Sequence, residues 1–538
     1  MQMDAKQYLE EGRGYLGIEL GSTRIKAVVI DDDFRVLASG VHSWENRLEN
    51  GIWTYGMEEV RTGLQDAYQD LLKNALDKTG ASIRSYRCAG ISAMMHGYLP
   101  FDENGELLSV FRTWRNTNAH DAAQRMTDLL HFNIPDRWSC AHLYDCILRG
   151  EPHVERIRFM TTLAGYVHYL LTGKKVIGIG DASGMFPIDM HTGSYRKDLL
   201  EVFDHEIEEK GYPWKTEDLL PIVLKAGEEA GSLTPEGAAL LDVSGALESG
   251  IRMCPPEGDA ATGMIATNSI RRRTGNLSAG TSGFLMTVME HDIRSLRREI
   301  EQINTPDGSP VAMVHANNCT TDISAWVSLF GEFARLIGNP LTGDELYEVL
   351  YRKALEGAAD AGGIYSFNFH AGEFIVGLEQ GCPVIVRRPD AEFNLPNFMR
   401  AQLSGTVAVL RIGVDLLRKE GVCIDSLTAH GGLFKTQGVA QRLLAGALNT
   451  PVRVMETAGE GGAWGIAILA AYLARDNREQ ELADYLDERV FADAVSSCME
   501  PNREDVEGYD RFLEGYRKAL AAEKAAVGGL LEPEDERS

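Results

Sequence analysis

Apolar and polar positions alternate early in the chain. Tyr15–Leu20 (YLGIEL) and residues 25–30 (IKAVVI) are β-rich runs parted by Gly21-Ser22-Thr23-Arg24, and Asp31-Asp32-Asp33 precedes a third run at 35–39. Glycine, hydroxyl and aspartate residues sit where turns need them, so the pattern predicts an antiparallel meander of three strands. From residue 57 to 76 the apolar spacing becomes helical, and Cys88–Ala93 (CAGISA) reads as a buried strand. Strands and helices alternate from there, which predicts α/β layers.

A second meander begins near mid-chain. Thr274–Ala279 (TGNLSA), the turn Gly280-Thr281-Ser282-Gly283 and residues 284–289 (FLMTVM) repeat the opening pattern about half a chain later. Such spacing suggests a duplicated domain. A third glycine turn, Gly431-Gly432, follows a strand-like run at 426–429 and precedes the helical VAQRLLAGALN. Residues 480–525 are acidic and helix-forming. No linker rich in Pro, Ser or Gly divides the chain, so the expected boundary is a hinge near 268–273, at Arg271-Arg272-Arg273.

Composition narrows the function. At 538 residues, two to four domains are expected. A formal net charge of -26 argues against nonspecific nucleic-acid binding and against an anionic membrane surface. No apolar run of about 18 residues predicts a membrane span. The eight cysteines include no CxxC pair, and the polar N-terminus has no apolar signal core. Reduced thiols and a cytosolic location are the simplest expectation.

The glycine turns carry the candidate chemistry. A tight hairpin of glycine with two hydroxyl residues offers amides and hydroxyls to phosphate oxygens. Glu19, at the end of the first strand, could hold Mg²⁺ beside them through water. The plainer reading of the first turn is an ordinary hairpin, but Gly280-Thr281-Ser282 repeats its chemistry and Gly431-Gly432 allows close approach to a flat ligand. Neither GxxxxGK[ST] nor HExxH occurs, and the run from Gly459 to Gly465 (GEGGAWG) misses GxGxxG by one residue. Asp259 follows a glycine turn and precedes AATGMIAT, so it reads as a helix N-cap held ionised by the helix dipole. An ionised carboxylate there could take the proton of an attacking hydroxyl.

In order, the opening hairpin, Gly258-Asp259-Ala260 before a helix, the GTS hairpin and the stretch from GGLFK to GEGGAWG resemble the FGGY carbohydrate kinases. The resemblance runs from about Tyr15 to Lys518 and includes Pro501, Tyr509 and Tyr516. It implies an α/β fold of two ribonuclease-H-like domains, as in actin-like ATPases, closing as a cleft over ATP and sugar. The expected domains are 15–268 for sugar and 269–525 for nucleotide, the latter ending in a helical segment. The resemblance makes Asp259 the catalytic base and, with Glu19, a Mg²⁺ ligand. It assigns Gly21, Ser22, Thr23 and Lys26 to one phosphate hairpin and Gly280, Thr281 and Ser282 to the other. Gly431, Gly432 and Lys435 match the adenosine loop, with Gln441 on the following helix. Met95-His96-Gly97 resembles the MHG of xylulokinases, Trp114-Arg115-Asn116 falls at their Trp-Asn-Asp segment, and Asp181-Ala182-Ser183-Gly184 resembles their DASG turn. Sugar contacts are thus expected from Met95, His96, Gly97, Trp114, Asn116 and Asp259.

Four positions depart from the family pattern. Glu19 replaces the usual Asp, moving the carboxylate by roughly 1.5 Å. Ala260 stands where xylulokinases often carry Asn, and Arg115-Asn116 also differs. The implied activity is ATP-dependent phosphorylation of D-xylulose or L-ribulose at a terminal hydroxyl, by a protein that the family pattern makes a possible homodimer. The alternatives are a kinase for ribitol, glycerol, fuculose or rhamnulose, or a nucleotide-dependent sugar sensor without catalysis.

Overall fold

The computed structural model describes residues 4–455 and 461–531. The chain forms two compact units. The first comprises Met1–Ile270, Leu296–Val311 and Thr457–Ala494, and the second Arg271–Ser295, Ala312–Glu456 and Val495–Ser538. This division differs from two contiguous ranges, because two later segments of the chain belong to the first unit.

The first unit is built on the expected meander. Tyr15–Leu20 pairs antiparallel with Arg24–Ile30, from Tyr15 opposite Ile30 to Leu20 opposite Ile25. The third strand is Val36–Ser43 rather than 35–39. The reason is local: Asp31 Oδ1 accepts the N–H groups of Asp33 (3.0 Å) and Arg35 (2.9 Å), which holds Arg35 in the turn. Cys88–Ala93 joins the other side of the first strand in parallel register. Arg252–Met253 and Glu257–Gly258 pair in parallel with it farther out.

Helices cover this sheet on both faces. Met57–Thr79 buries Val60, Leu64, Ala67, Tyr68, Leu71 and Ala75 along one stripe. Its Glu59 accepts the Gly56 N–H at 3.2 Å, and Gly80 ends it at φ 72°. Gly461–Leu473 packs against Tyr15–Leu20 and Cys88–Ala93. That approach needs glycine: a Cβ on Gly17 would lie 2.2 Å from the Ala463 carbonyl oxygen.

The second unit repeats the plan. Thr274–Ala279 pairs antiparallel with Gly283–Val288 on one side and parallel with Ser426–His430 on the other. Pro310–Ala316 extends the hairpin side, while Val452–Met455 and Ser496–Met499 extend the other. The acidic stretch 480–525 is not helical throughout, since Ser496–Met499 is a strand; its long helix is Arg503–Leu530. Its buried Asp505 accepts from Arg400 (2.6 Å) and Arg442 (2.7 Å), so the carboxylate enters the interior with its charge matched. All eight cysteines are free. Among the described residues no helix is long and apolar enough to cross a membrane.

Candidate active site

Asp259 opens the helix Asp259–Ala266, directly after the strand Glu257–Gly258. It is therefore the first helical residue and not the N-cap, a position held by Gly258. Asp259 Oδ1 accepts the Met95 N–H at 3.1 Å, which ties this carboxylate to the loop after Cys88–Ala93. Desolvation raises its pKa above the ordinary Asp value, partly offset by backbone N–H groups, so burial outweighs the dipole effect expected from sequence.

Three further acids surround it in the first unit. Glu19 is pushed up to about 7, first by burial and next by the charge of Asp259, against the N–H of Ala463, which donates to its Oε2 at 3.1 Å. The additional methylene of Glu19 thus reaches the first turn of Gly461–Leu473. Asp181 is fully buried and pushed up to about 7, mainly by burial; its Oδ2 accepts from Thr162 at 2.6 Å, while Oδ1 has no hydrogen-bond partner. Glu257 accepts the Asp181 N–H at 2.9 Å and is raised well above the carboxylate range by burial. Sequence reasoning noted the DASG turn but assigned nothing to Asp181 or Glu257.

The loop at 95–97 is strained. His96 has φ 70° and Gly97 φ 98°. His96 is 5 % exposed, and burial drives its pKa well below the usual histidine value, disfavouring the charged ring. Its Nδ1 faces the Gly184 carbonyl at 3.5 Å, bringing the DASG turn to the MHG loop.

At the first hairpin, the Gly21 N–H closes onto the Arg24 carbonyl at 2.9 Å. Trp44 Nε1 donates to the Gly21 carbonyl (2.7 Å) and the Tyr55 hydroxyl to the Ser22 carbonyl (2.6 Å). Trp114 Nε1 donates to Ser22 Oγ at 3.2 Å, so the half-exposed Trp114 sits beside the hairpin. Thr23 is exposed and Lys26 half-buried. Asn116 behaves otherwise than expected. Its side chain accepts from Trp53 N–H (2.8 Å) and donates to the carbonyls of Trp53 (2.8 Å) and Thr113 (3.0 Å). A buried amide committed to backbone in this way braces the fold and has no donor left for sugar.

The second unit gathers most of its expected nucleotide residues. The Gly280 N–H closes onto the Ser282 carbonyl at 3.0 Å, one residue tighter than in the first hairpin. Thr320 donates to the Gly280 carbonyl through its N–H (3.0 Å) and its hydroxyl (2.7 Å). Gly431 has φ 110°, and a Cβ there would lie 2.3 Å from the Ala279 carbonyl oxygen, so the third turn rests on the root of the second hairpin. Beside it opens a cavity of about 430 Å³, lined among others by Thr320, Tyr347, Glu348, Gly432 and Lys435. Gln441 lies elsewhere. Its Nε2 donates to the carbonyls of Val452 (2.9 Å) and Ser497 (3.0 Å), pinning Val439–Leu448 to the sheet. The expectation that it serves the nucleotide gives way to this buried structural role. In GEGGAWG, Gly459 and Glu460 lie outside the described residues.

Two units share one strand plan, one holding a buried acid at a helix start and the other a polar cavity beside a glycine turn, an arrangement suited to phosphoryl transfer. The family models agree. The N-terminal domain of the FGGY family of carbohydrate kinases matches residues 14–137 and its C-terminal domain residues 275–474. The chain belongs to the FGGY family of carbohydrate kinases and is a sugar phosphotransferase, which implies ATP as donor. Xylulose kinase of Haemophilus influenzae is 24% identical over 523 residues, covering 94% of this chain and 99% of that protein. Among solved structures, a ligand-bound xylulose kinase from Lactobacillus acidophilus has a TM-score of 0.77 at 17% identity, covering 96% of this chain and 100% of that one. A gluconate kinase from Lactobacillus acidophilus has the same TM-score, 0.77, at 18% identity, covering 96% of this chain and 99% of that one. The fold is that of these kinases.

Proposed function

We propose that this kinase transfers the γ-phosphoryl group of ATP to a terminal hydroxyl of a ketopentose, D-xylulose or L-ribulose, with Asp259 as general base. The observation that carries this reading is the 3.1 Å hydrogen bond from Met95 N–H to Asp259, which links the candidate base to the candidate sugar loop. The xylulose kinase relative, aligned over nearly the whole chain, supports the ketopentose.

In this reading the region around 15–268 binds sugar through Met95, His96, Gly97 and Trp114. The region 269–525 binds ATP through Gly280, Thr281, Ser282, Gly431, Gly432 and Lys435, while Gly21, Ser22, Thr23 and Lys26 supply further phosphate contacts. Asp259 accepts the hydroxyl proton as the sugar oxygen forms its bond to the γ-phosphorus. The bond from that phosphorus to the bridging oxygen breaks, and ADP leaves. Positioning and charge stabilisation supply most of the rate. A raised pKa suits Asp259 to this work, since a stronger base at neutral pH takes the proton more readily.

The donor set suits Mg²⁺. Burial first, and then the like charge of Asp259, raises the proton affinity of Glu19, and a hard divalent cation would relieve that repulsion. Glu19 and Asp259 would hold the ion through water, and bound there it would neutralise phosphate charge.

The test is ADP release with D-xylulose, L-ribulose, ribitol, glycerol, L-fuculose and L-rhamnulose side by side. A ketopentose should give the highest kcat/KM. A higher value for any other sugar refutes the substrate assignment, and full turnover by Asp259→Asn refutes the base.

A further inference from the structure

The segment Leu296–Val311 lies within the stretch matched to the C-terminal family domain, yet it is part of the first unit. It is fastened there at several points. Arg298 Nη2 pairs with Asp128 Oδ1 at 2.5 Å, and Asn133 Nδ2 donates to the Ile300 carbonyl at 2.9 Å. The Asn304 N–H donates to Ser183 Oγ at 3.0 Å, on the DASG turn.

Between these fastenings, Glu301 enters the interior with 5 % of its surface exposed. Its Oε1 accepts Trp138 Nε1 at 2.6 Å and faces His96 Nε2 at 3.5 Å, while its Oε2 is paired with Arg137. The His96 ring is thus flanked by Glu301 on one edge and the Gly184 carbonyl on the other. A Cβ on Gly184 would come within 2.5 Å of His96 Nδ1, so the ring has no room to turn on that side. The same neighbours hold the loop backbone. The Gly97 N–H donates to the Arg137 carbonyl at 3.3 Å, and Ser139 Oγ donates to the Gly97 carbonyl at 2.5 Å. A buried carboxylate–guanidinium pair is seldom the most stable filling for an interior, where apolar residues of similar volume do as well or better. Its placement against a histidine with positive φ points to a use beyond packing.

We propose that Glu301 is a positioning residue for sugar binding, fixing the His96 ring and, through it, the Met95-His96-Gly97 loop on which Asp259 rests. The proposal rests on the reading of that loop as the sugar contact. It adds a determinant of sugar affinity from the middle of the chain, far in sequence from the loop it serves.

The test is steady-state kinetics of Glu301→Gln with whichever sugar the intact enzyme phosphorylates fastest, so an incorrect ketopentose assignment does not affect it. The glutamine keeps the volume and an acceptor for Trp138 but removes the charge that faces His96 and Arg137. The sugar KM should rise about tenfold, a loss of about 1.4 kcal/mol, while the ATP KM stays within about twofold. Glu301→Gln and His96→Asn combined should raise the sugar KM by less than the product of the single effects. Trp138→Phe, which removes one donor and leaves the ion pair, should give a smaller rise of the same selectivity, and it serves if Glu301→Gln does not fold. A raised sugar KM in His96→Asn with an unchanged one in Glu301→Gln overturns the role of Glu301, as does strict additivity. An unchanged sugar KM in His96→Asn refutes the loop assignment beneath it, and the proposal falls with it.

Discussion

The two units share a strand plan and put it to different uses. In each, a glycine-tipped hairpin pairs in parallel with a later strand, Cys88–Ala93 or Ser426–His430, and backbone with positive φ follows that strand. In the first unit that backbone carries Met95 and His96, with Asp259, Asp181, Glu257 and Glu19 around it. In the second it is Gly431 beside the bare Gly432 and a cavity of about 430 Å³. One copy of the scaffold has concentrated titratable groups whose charged forms are disfavoured by burial. The other has kept room. The shared strand plan therefore places both candidate sites, whereas the residues after Cys88–Ala93 and Ser426–His430 set what each offers, buried acids or open space.

The sharpest way to break this contrast is Asp259→Asn. The amide keeps the size and can still accept the Met95 N–H but cannot take a proton. Turnover should fall roughly 10²–10⁴-fold with little change in melting temperature, measured by coupled ADP release and calorimetry. A loss no greater than twofold would remove the chemistry from the first unit.

The second unit should answer to shape instead. Gly431→Ala faces both φ 110° and a contact of 2.3 Å with the Ala279 carbonyl. A destabilisation of about 2–3 kcal/mol is expected in denaturant titration, with a raised ATP KM and an unaltered sugar KM. Gln441→Ala should separate support from function on the same side. Losing its hydrogen bonds to Val452 and Ser497 should cost about 1–3 kcal/mol, while the ATP KM stays within about twofold. A large selective rise in that KM would return Gln441 to the nucleotide.

The last test concerns pH. Burial pushes the Asp181 carboxyl up to about 7 from the ordinary aspartate value of 3.8. Between these values the folded state holds a proton that the unfolded state has released. Stability then falls as pH rises through that window, by at most about 1.4 kcal/mol per pH unit, and levels off above it. Asp181→Asn should flatten the slope between about pH 4 and 7, read from urea midpoints, and should be the more stable form at pH 8. An unchanged slope would mean that Asp181 is ionised throughout.

Much of this was legible in the sequence for identifiable reasons. Hairpins declare themselves through alternation and turn residues, so both meanders could be read, and Gly431 marked a backbone approach that its φ explains. Asp259 was legible as an acid at a helix start, although its exact cap position and the dominance of burial over the dipole were not. Asn116 and Gln441 show the limit. An amide can serve a ligand or the backbone equally well, and only the positions of Trp53, Thr113, Val452 and Ser497 reveal which. Glu301 had no signal at all, because its partner His96 is some two hundred residues away and no periodic pattern connects them.

The helix Gly461–Leu473 lies against the sheet formed by the earliest strands. During synthesis, the ribosome will have released the first 270 residues long before it makes this cover. Until then one face of that sheet, with Gly17, Glu19 and Gly90, is without its final partner. The first half of the polypeptide must therefore wait, exposed to chaperones or to misassociation, for a helix encoded near the end of the message.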